Sequence, residues 1–162
     1  MSVPKTMFQL SGRGYAAANL SHATLVIIDA QKEYLSGPLA LSGMDAAVAN
    51  IRQLLAAARA AGRPVVHVRH LGTVGGLFDP QGERGEFIPG LEPQGDETII
   101  GKLLPSAFHG TELEKRLQDL GSLDLIVAGF MSHSSVSTTV RAAKNLGLSL
   151  IHISEPTRPE RI

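Results

Sequence analysis

The chain has 162 residues, 43% hydrophobic and 19% charged, with fifteen basic residues balancing fifteen acidic ones. That length suits one domain with a sizeable core and is short for two, and the balanced charge points away from a nucleic-acid partner or an anionic membrane surface. There is no cysteine, hence no disulfide and no thiolate metal site, and no apolar run long enough to span a bilayer; a cytoplasmic protein is the default expectation.

Residues 1–21 are polar and glycine-containing and read as an arm. The run "ATLVIIDA", apolar and β-branched and ending near Asp29, suits a strand buried on both faces. From Met44 to Ala61 apolar residues recur at Met44, Val48, Ile51, Leu55 and Ala58, close to the helical period, and Gly62 supplies the stop. "RPVVHVRH" is a second strand entered through Pro64. Leu71 to Glu97 is rich in glycine and proline and aperiodic, and so long a connection in a compact domain is usually functional or a lid. "ETIIGK" is a short third strand. Thr111 and Glu114 form a T-x-x-E capping box before a helix with Leu113, Leu117 and Leu120 on one face and Gly121 behind it. "LDLIVAG" is a fourth strand, Ser135 to Leu146 a helix, and "LSLIHI" a fifth strand. Alternating strands and helices, joined by right-handed crossovers, predict a three-layer α/β/α sandwich around a mostly parallel, Rossmann-like sheet. The last stretch, "SEPTRPERI", carries two prolines and little apolar content, and reads as a tail.

Open parallel sheets bind ligands beyond the carboxyl ends of their strands. Asp29 follows the first strand, Lys102 the third, and a serine cluster the fourth. Singly, each has an ordinary structural reading: a turn cap, a solvated lysine, a helix N-cap. Their convergence on one sheet edge makes them candidates for chemistry. His67 and His70, three apart along a strand, point to opposite faces and do not make a metal pair. "GRG" at 12–14 and "GTVGG" at 72–76 lack the strand–turn–helix context of a nucleotide loop, so no cofactor is expected.

Three ordered stretches carry a resemblance: "VIIDAQKEY", "ETIIGKLLPSAFHGTELEKRL" and "GFMSHSSVSTTVRAA". The chain resembles the isochorismatase-like cysteine hydrolases, the superfamily of nicotinamidases and carbamoyl-amide hydrolases, over roughly Thr24 to Ile151. The resemblance implies hydrolysis of a C–N amide-type bond of a small molecule through a covalent acyl-enzyme. It makes Asp29 the proton acceptor and Lys102 the cation that lowers the nucleophile's pKa. Where the family has its nucleophilic cysteine, this chain has Ser135. A non-proline cis peptide is implied between Phe130 and Met131, with the N–H groups of Met131 and residue 135 as an oxyanion hole. Gln31 and Phe108 are implied as substrate-pocket residues, and a homo-oligomer is usual for the family. The Asp-x-His metal motif of the nicotinamidase branch is not found, so no metal is expected.

The family continues past the fifth strand with a further helix and strand. The resemblance therefore implies a domain over residues 22–153 lacking those two elements, followed by a non-family tail over 154–162. A serine hydroxyl is far less acidic than a thiol and needs a matched base. His133, two residues before Ser135, has no positional reason to be that base. Three readings follow: a hydrolase impaired by Ser135, a catalytically silent member that binds a small molecule or a partner, or an active enzyme with its cysteine deliberately replaced.

Overall fold

The computed structural model describes residues 19–152. Residues 1–18 of the expected arm, and the expected tail at 154–162, lie outside them.

Five strands, β1 (Thr24–Ile28), β2 (Val65–His70), β3 (Thr98–Lys102), β4 (Asp124–Gly129) and β5 (Ser149–His152), form one sheet in the order β3-β2-β1-β4-β5. Every pairing is parallel. The helices are a single turn α1 (Glu33–Ser36), then α2 (Met44–Ala60), α3 (Leu113–Asp119) and α4 (Ser137–Asn145). From β1 the chain winds outward to β3, then returns to β4 on the other flank of β1. The β1/β4 boundary is thus the point where the winding reverses, the place where such sheets bind ligands.

All of β1 is buried, because helices cover both faces of the sheet. Leu25 and Ile27 join the core under α2, whose Met44, Ala47, Ile51, Leu55 and Ala58 face inward. Val26 and Ile28 face the opposite core, shared with Leu113 and Leu117 of α3 and with Val140 and Ala143 of α4. One strand therefore serves two cores by its twofold side-chain alternation. Gly129 ends β4 at φ 136°, where a Cβ would lie 2.0 Å from the Ile28 carbonyl oxygen. Glycine is what lets β4 close on β1 at the reversal point.

Helix α3 differs from its sequence pattern. Leu113 and Leu117 are buried, but Leu120 is 39% exposed at the helix end. The expected capping box does not form: Glu112 caps α3 without a side-chain bond, and Thr111 Oγ1 accepts from the Leu113 N–H at 3.2 Å. The Glu114 carboxylate instead accepts from Gln118 at 3.5 Å, its neighbour one turn on.

The long connection 71–97 packs back onto the exit of β1. Gln31 pairs with Phe87 in an isolated bridge, the Lys32 N–H donates to the Glu86 carbonyl, and the Glu33 carboxylate accepts from the Phe78 N–H at 3.0 Å. At its far end Glu97 accepts from Arg59 Nε at 2.7 Å and from the Gln94 N–H at 3.0 Å, and pairs with buried His67 at 2.8 Å. Burial pushes the Glu97 carboxyl up, but Arg59, the Gln94 N–H and His67 together outweigh it and hold it at about 2. A depressed carboxyl stabilises the fold fully above its unfolded value and loses that contribution as pH falls through the folded one. Glu97→Gln is therefore expected to cost about 2 kcal/mol at pH 7. The deficit should shrink as pH drops from 4.5 toward about 2, which urea titrations at several pH values would read.

Candidate active site

Asp29 directly follows β1, at the reversal point, with a left-handed φ of 51°. Aspartate tolerates that region better than most residues, and such conformations cluster where side chains must be aimed. Its backbone is tied on both sides, the N–H to the Val68 carbonyl and the carbonyl to the Gln31 N–H, each at 2.8 Å. The carboxylate is buried, with 1% exposure.

Lys102 closes β3, two strands from β1 and about 10 Å away at the usual strand spacing. Its long side chain crosses the end of β2 to place Nζ 2.9 Å from Asp29 Oδ2. The same Nζ lies 3.3 Å from Ser135 Oγ and 3.3 Å from His70 Nδ1. Lys102 is itself 1% exposed, so this is a buried ion pair and not a solvated lysine.

Ser135 is supplied by the turn after β4. The peptide bond between Phe130 and Met131 is cis, at the position the resemblance implied. The chain then enters a wide π-helical turn, Ser132–Val136, before α4 begins at Ser137. The Met131 carbonyl accepts from both the Ser134 and the Val136 N–H groups. Within this turn Ser135 points inward, 8% exposed, while His133 is exposed to solvent.

The electrostatics follow from burial. Desolvation raises the Asp29 carboxyl, the Lys102 charge and the hydrogen bonds from Lys102 and Ser135 lower it, and the balance leaves it at about 6. Asp29 Oδ1 has no hydrogen-bond partner among the described residues. A buried carboxylate with a free oxygen and a pKa near neutrality is chemically a general base.

The remaining residues differ in how they approach this cluster. The Gln31 amide is fully buried and spent on backbone: it donates to the His70 and Gly85 carbonyls and accepts from the His70 N–H at 2.8 Å. It organises the loop instead of offering polar atoms to a pocket. Phe108 is partly buried against the core shared by α3 and α4. The neighbouring Ala107 N–H donates to Thr139 Oγ1 of α4 at 3.0 Å, tying the segment after Lys102 to the helix that follows Ser135. Met131 is partly buried against the other core. His70 joins the cluster although its sequence position gave no sign of it. The signal was available only in register: His70 and Lys102 are paired positions on neighbouring parallel strands. His67 turns the other way, to Glu97. Among the described residues no group of three His, Asp or Glu side chains is gathered as a metal would need.

Surface cavities of about 390 and 420 Å³ lie elsewhere, one lined by Leu117, Leu123, Leu146 and Leu148, the other by Arg59, Arg63, Glu97 and Arg116. Neither touches the Asp29–Lys102–Ser135 cluster. The cluster is the better candidate, because it buries two opposite charges and a hydroxyl at the reversal point of the sheet.

A doubly wound parallel sheet with helices on both faces and polar groups gathered at its carboxyl edge is an open α/β fold. Residues 23–157 match the isochorismatase domain, and the chain belongs to the isochorismatase family of hydrolases. An isochorismatase of known crystal structure from Pseudomonas putida KT2440 is 68% identical, with a TM-score of 0.88, over 93% of this chain and 78% of its own. The secreted isochorismatase effector Isc1 of Verticillium dahliae is 36% identical over 84% of this chain and 72% of its own length. The ureidoacrylate amidohydrolase RutB of Pseudomonas syringae pv. syringae is 26% identical over 84% of this chain and 71% of its own. No helix among the described residues is long and apolar enough to cross a membrane.

Proposed function

We propose that the chemistry built into this site is hydrolysis of a C–N amide-type bond of a small molecule through an acyl-enzyme on residue 135, and that serine there impairs it. The observation supporting this reading is that Asp29 Oδ2 and Ser135 Oγ, from the two strands flanking the reversal point, both lie within 3.3 Å of Lys102 Nζ. The amidohydrolase among the relatives supports the bond type.

In this mechanism Asp29 takes the proton of the residue-135 nucleophile as that atom attacks the substrate carbonyl carbon. The C–O⁻ that develops is held by the N–H groups of Met131 and residue 135. When the C–N bond breaks, the proton on Asp29 passes to the leaving amine. Water then gives a proton to Asp29 and attacks the acyl group, and that proton returns to the nucleophile on release of the acid. Lys102 stabilises the negative charge on the nucleophile as it is deprotonated for attack and again as it leaves the acyl group. Phe108 borders the substrate, and Gln31 acts on it through the loop that it holds. The cycle needs no metal or cofactor, and its one partner is the small-molecule substrate. We further propose a cytoplasmic homo-oligomer without a nucleic-acid partner.

The serine is the weak point. A lysine and a helix N-terminus bring a thiol of ordinary pKa about 8.5 within reach of neutrality, whereas an alkanol stays protonated. Ser135 itself favours a second reading, a silent member that binds small carbonyl compounds. Assay of Ser135→Cys on small amides and ureido compounds separates the two. As a base Asp29 must be ionised, so activity is expected to rise with pH through about 6 and level off above it. Asp29→Asn should remove activity across the whole range. A flat profile from about pH 5 to about pH 8, or an active Asp29→Asn form, contradicts the mechanism; no turnover of any amide favours the silent member.

A further inference from the structure

The Lys102 ammonium has three N–H bonds to donate and no lone pair. Three acceptors surround it: Asp29 Oδ2 at 2.9 Å, Ser135 Oγ at 3.3 Å and His70 Nδ1 at 3.3 Å. The first two belong to the chemistry already described. The third does not, and its direction is forced, because a cation that can only donate requires an unprotonated Nδ1.

His70 is held for this contact from several sides. It ends β2 in register with Lys102 on β3, so the two side chains leave the sheet on the same face. Both its backbone N–H and its carbonyl are bonded to the one buried amide of Gln31, at 2.8 and 3.0 Å. Its ring meets the Phe78 ring edge-on, with centroids 5.1 Å apart. Phe78 is in turn fixed at φ 49° with its N–H on the Glu33 carboxylate. Gln31 fixes the backbone at residue 70 and Phe78 flanks the ring, so the imidazole is held beside Lys102.

We infer that His70 is a positioning residue of this site: as a neutral imidazole with its proton on Nε2, it accepts the third N–H of Lys102 and holds that cation between Asp29 and residue 135. Burial and the neighbouring ammonium both lower the affinity of the His70 ring for a second proton, in keeping with a neutral acceptor. This inference rests on reading residue 135 as the nucleophile's place, but it is measurable without any substrate.

The first measurement is nitrogen NMR of the unaltered protein, with the His70 ring assigned by its loss in His70→Asn. The Nε2–H tautomer is expected at neutral pH. An Nδ1–H tautomer or a doubly protonated ring overturns the inference. The second uses Ser135→Cys, in which the thiolate absorbance belongs to residue 135 alone because the chain has no other cysteine. Adding His70→Ala frees Lys102 from its third bond and is expected to raise the thiol midpoint by about one pH unit, within the range a nearby cation supplies. His70→Asn, whose side-chain oxygen can occupy the Nδ1 position, should bring the midpoint back toward that of the parent. An unchanged midpoint in His70→Ala, or His70→Asn behaving like His70→Ala, overturns it. A depressed thiol that turns over no amide would contradict the proposed function while leaving this inference standing.

Discussion

Ser135→Cys is expected to raise turnover of small amides by about 10²–10⁴-fold, the range in which one correctly poised group changes a rate. The surroundings already suit a thiolate. Lys102 Nζ lies 3.3 Å from the side-chain oxygen, and the turn carrying residue 135 runs directly into α4. Both features stabilise negative charge at that atom. They help a thiol, which needs a shift of one or two units to ionise near neutrality; they do little for an alkanol. Serine enzymes solve the problem with a histidine in hydrogen-bond reach of the hydroxyl. Here His133 is exposed to solvent and His70 is bonded to Lys102. Among the described residues the base bonded to Ser135 is Asp29, which at about 6 is a poor match for a serine hydroxyl. Equal rates for the serine and cysteine forms would mean that another group activates the serine.

Lys102→Met is expected to destabilise the protein by about 3–5 kcal/mol at pH 8, the cost of stranding a buried charge by removing its partner. Methionine fills much the same volume, so the loss reports the charge on Asp29 and little packing. The sign of the pH dependence is fixed by the raised carboxyl. A folded-state pKa above the unfolded one contributes stability that is complete below 3.8 and is lost as pH climbs through about 6. Without the ammonium the Asp29 carboxyl rises further, and the loss continues to higher pH. The deficit of Lys102→Met should therefore be small near pH 5 and grow above 6. Asp29→Asn in the same chain should recover most of it. Guanidinium unfolding of the single and double variants at those pH values gives the answer, and a pH-independent deficit would show that packing governs.

The strands and their order of appearance were legible because buried parallel strands are short apolar runs bounded by glycine, proline and charge. "TLVII" could scarcely be anything else. Asp29, Lys102 and the serine cluster were legible as strand-end polar residues, which the winding rules bring to one edge. What the sequence could not show depended on lateral geometry. His70 enters the cluster only because β2 and β3 pair with His70 beside Lys102, and register between strands leaves no mark in either one. The resemblance implies Gln31 as a pocket residue, and its amide is bonded to the backbone of His70 at the end of β2 and of Gly85 in the long connection. Leu120 matched the helical period, but α3 ends at Asp119, so its side chain leaves the buried face. The helix expected from Ser135 is preceded by a π-helical turn starting at Ser132. That turn sets which of three clustered serines faces Asp29, and spacing alone does not distinguish them.

The central claim is covalent chemistry at residue 135, and intact-mass spectrometry during turnover of a small amide tests it most directly. In Ser135→Cys the protein is expected to gain the mass of the substrate's acyl group, the substrate less its amine, on the peptide containing residue 135. The adduct should disappear as water completes the cycle, and it should fail to form in Ser135→Ala and in Asp29→Asn. Steady amide hydrolysis with no adduct under rapid quenching, or an adduct on any other residue, would contradict the account.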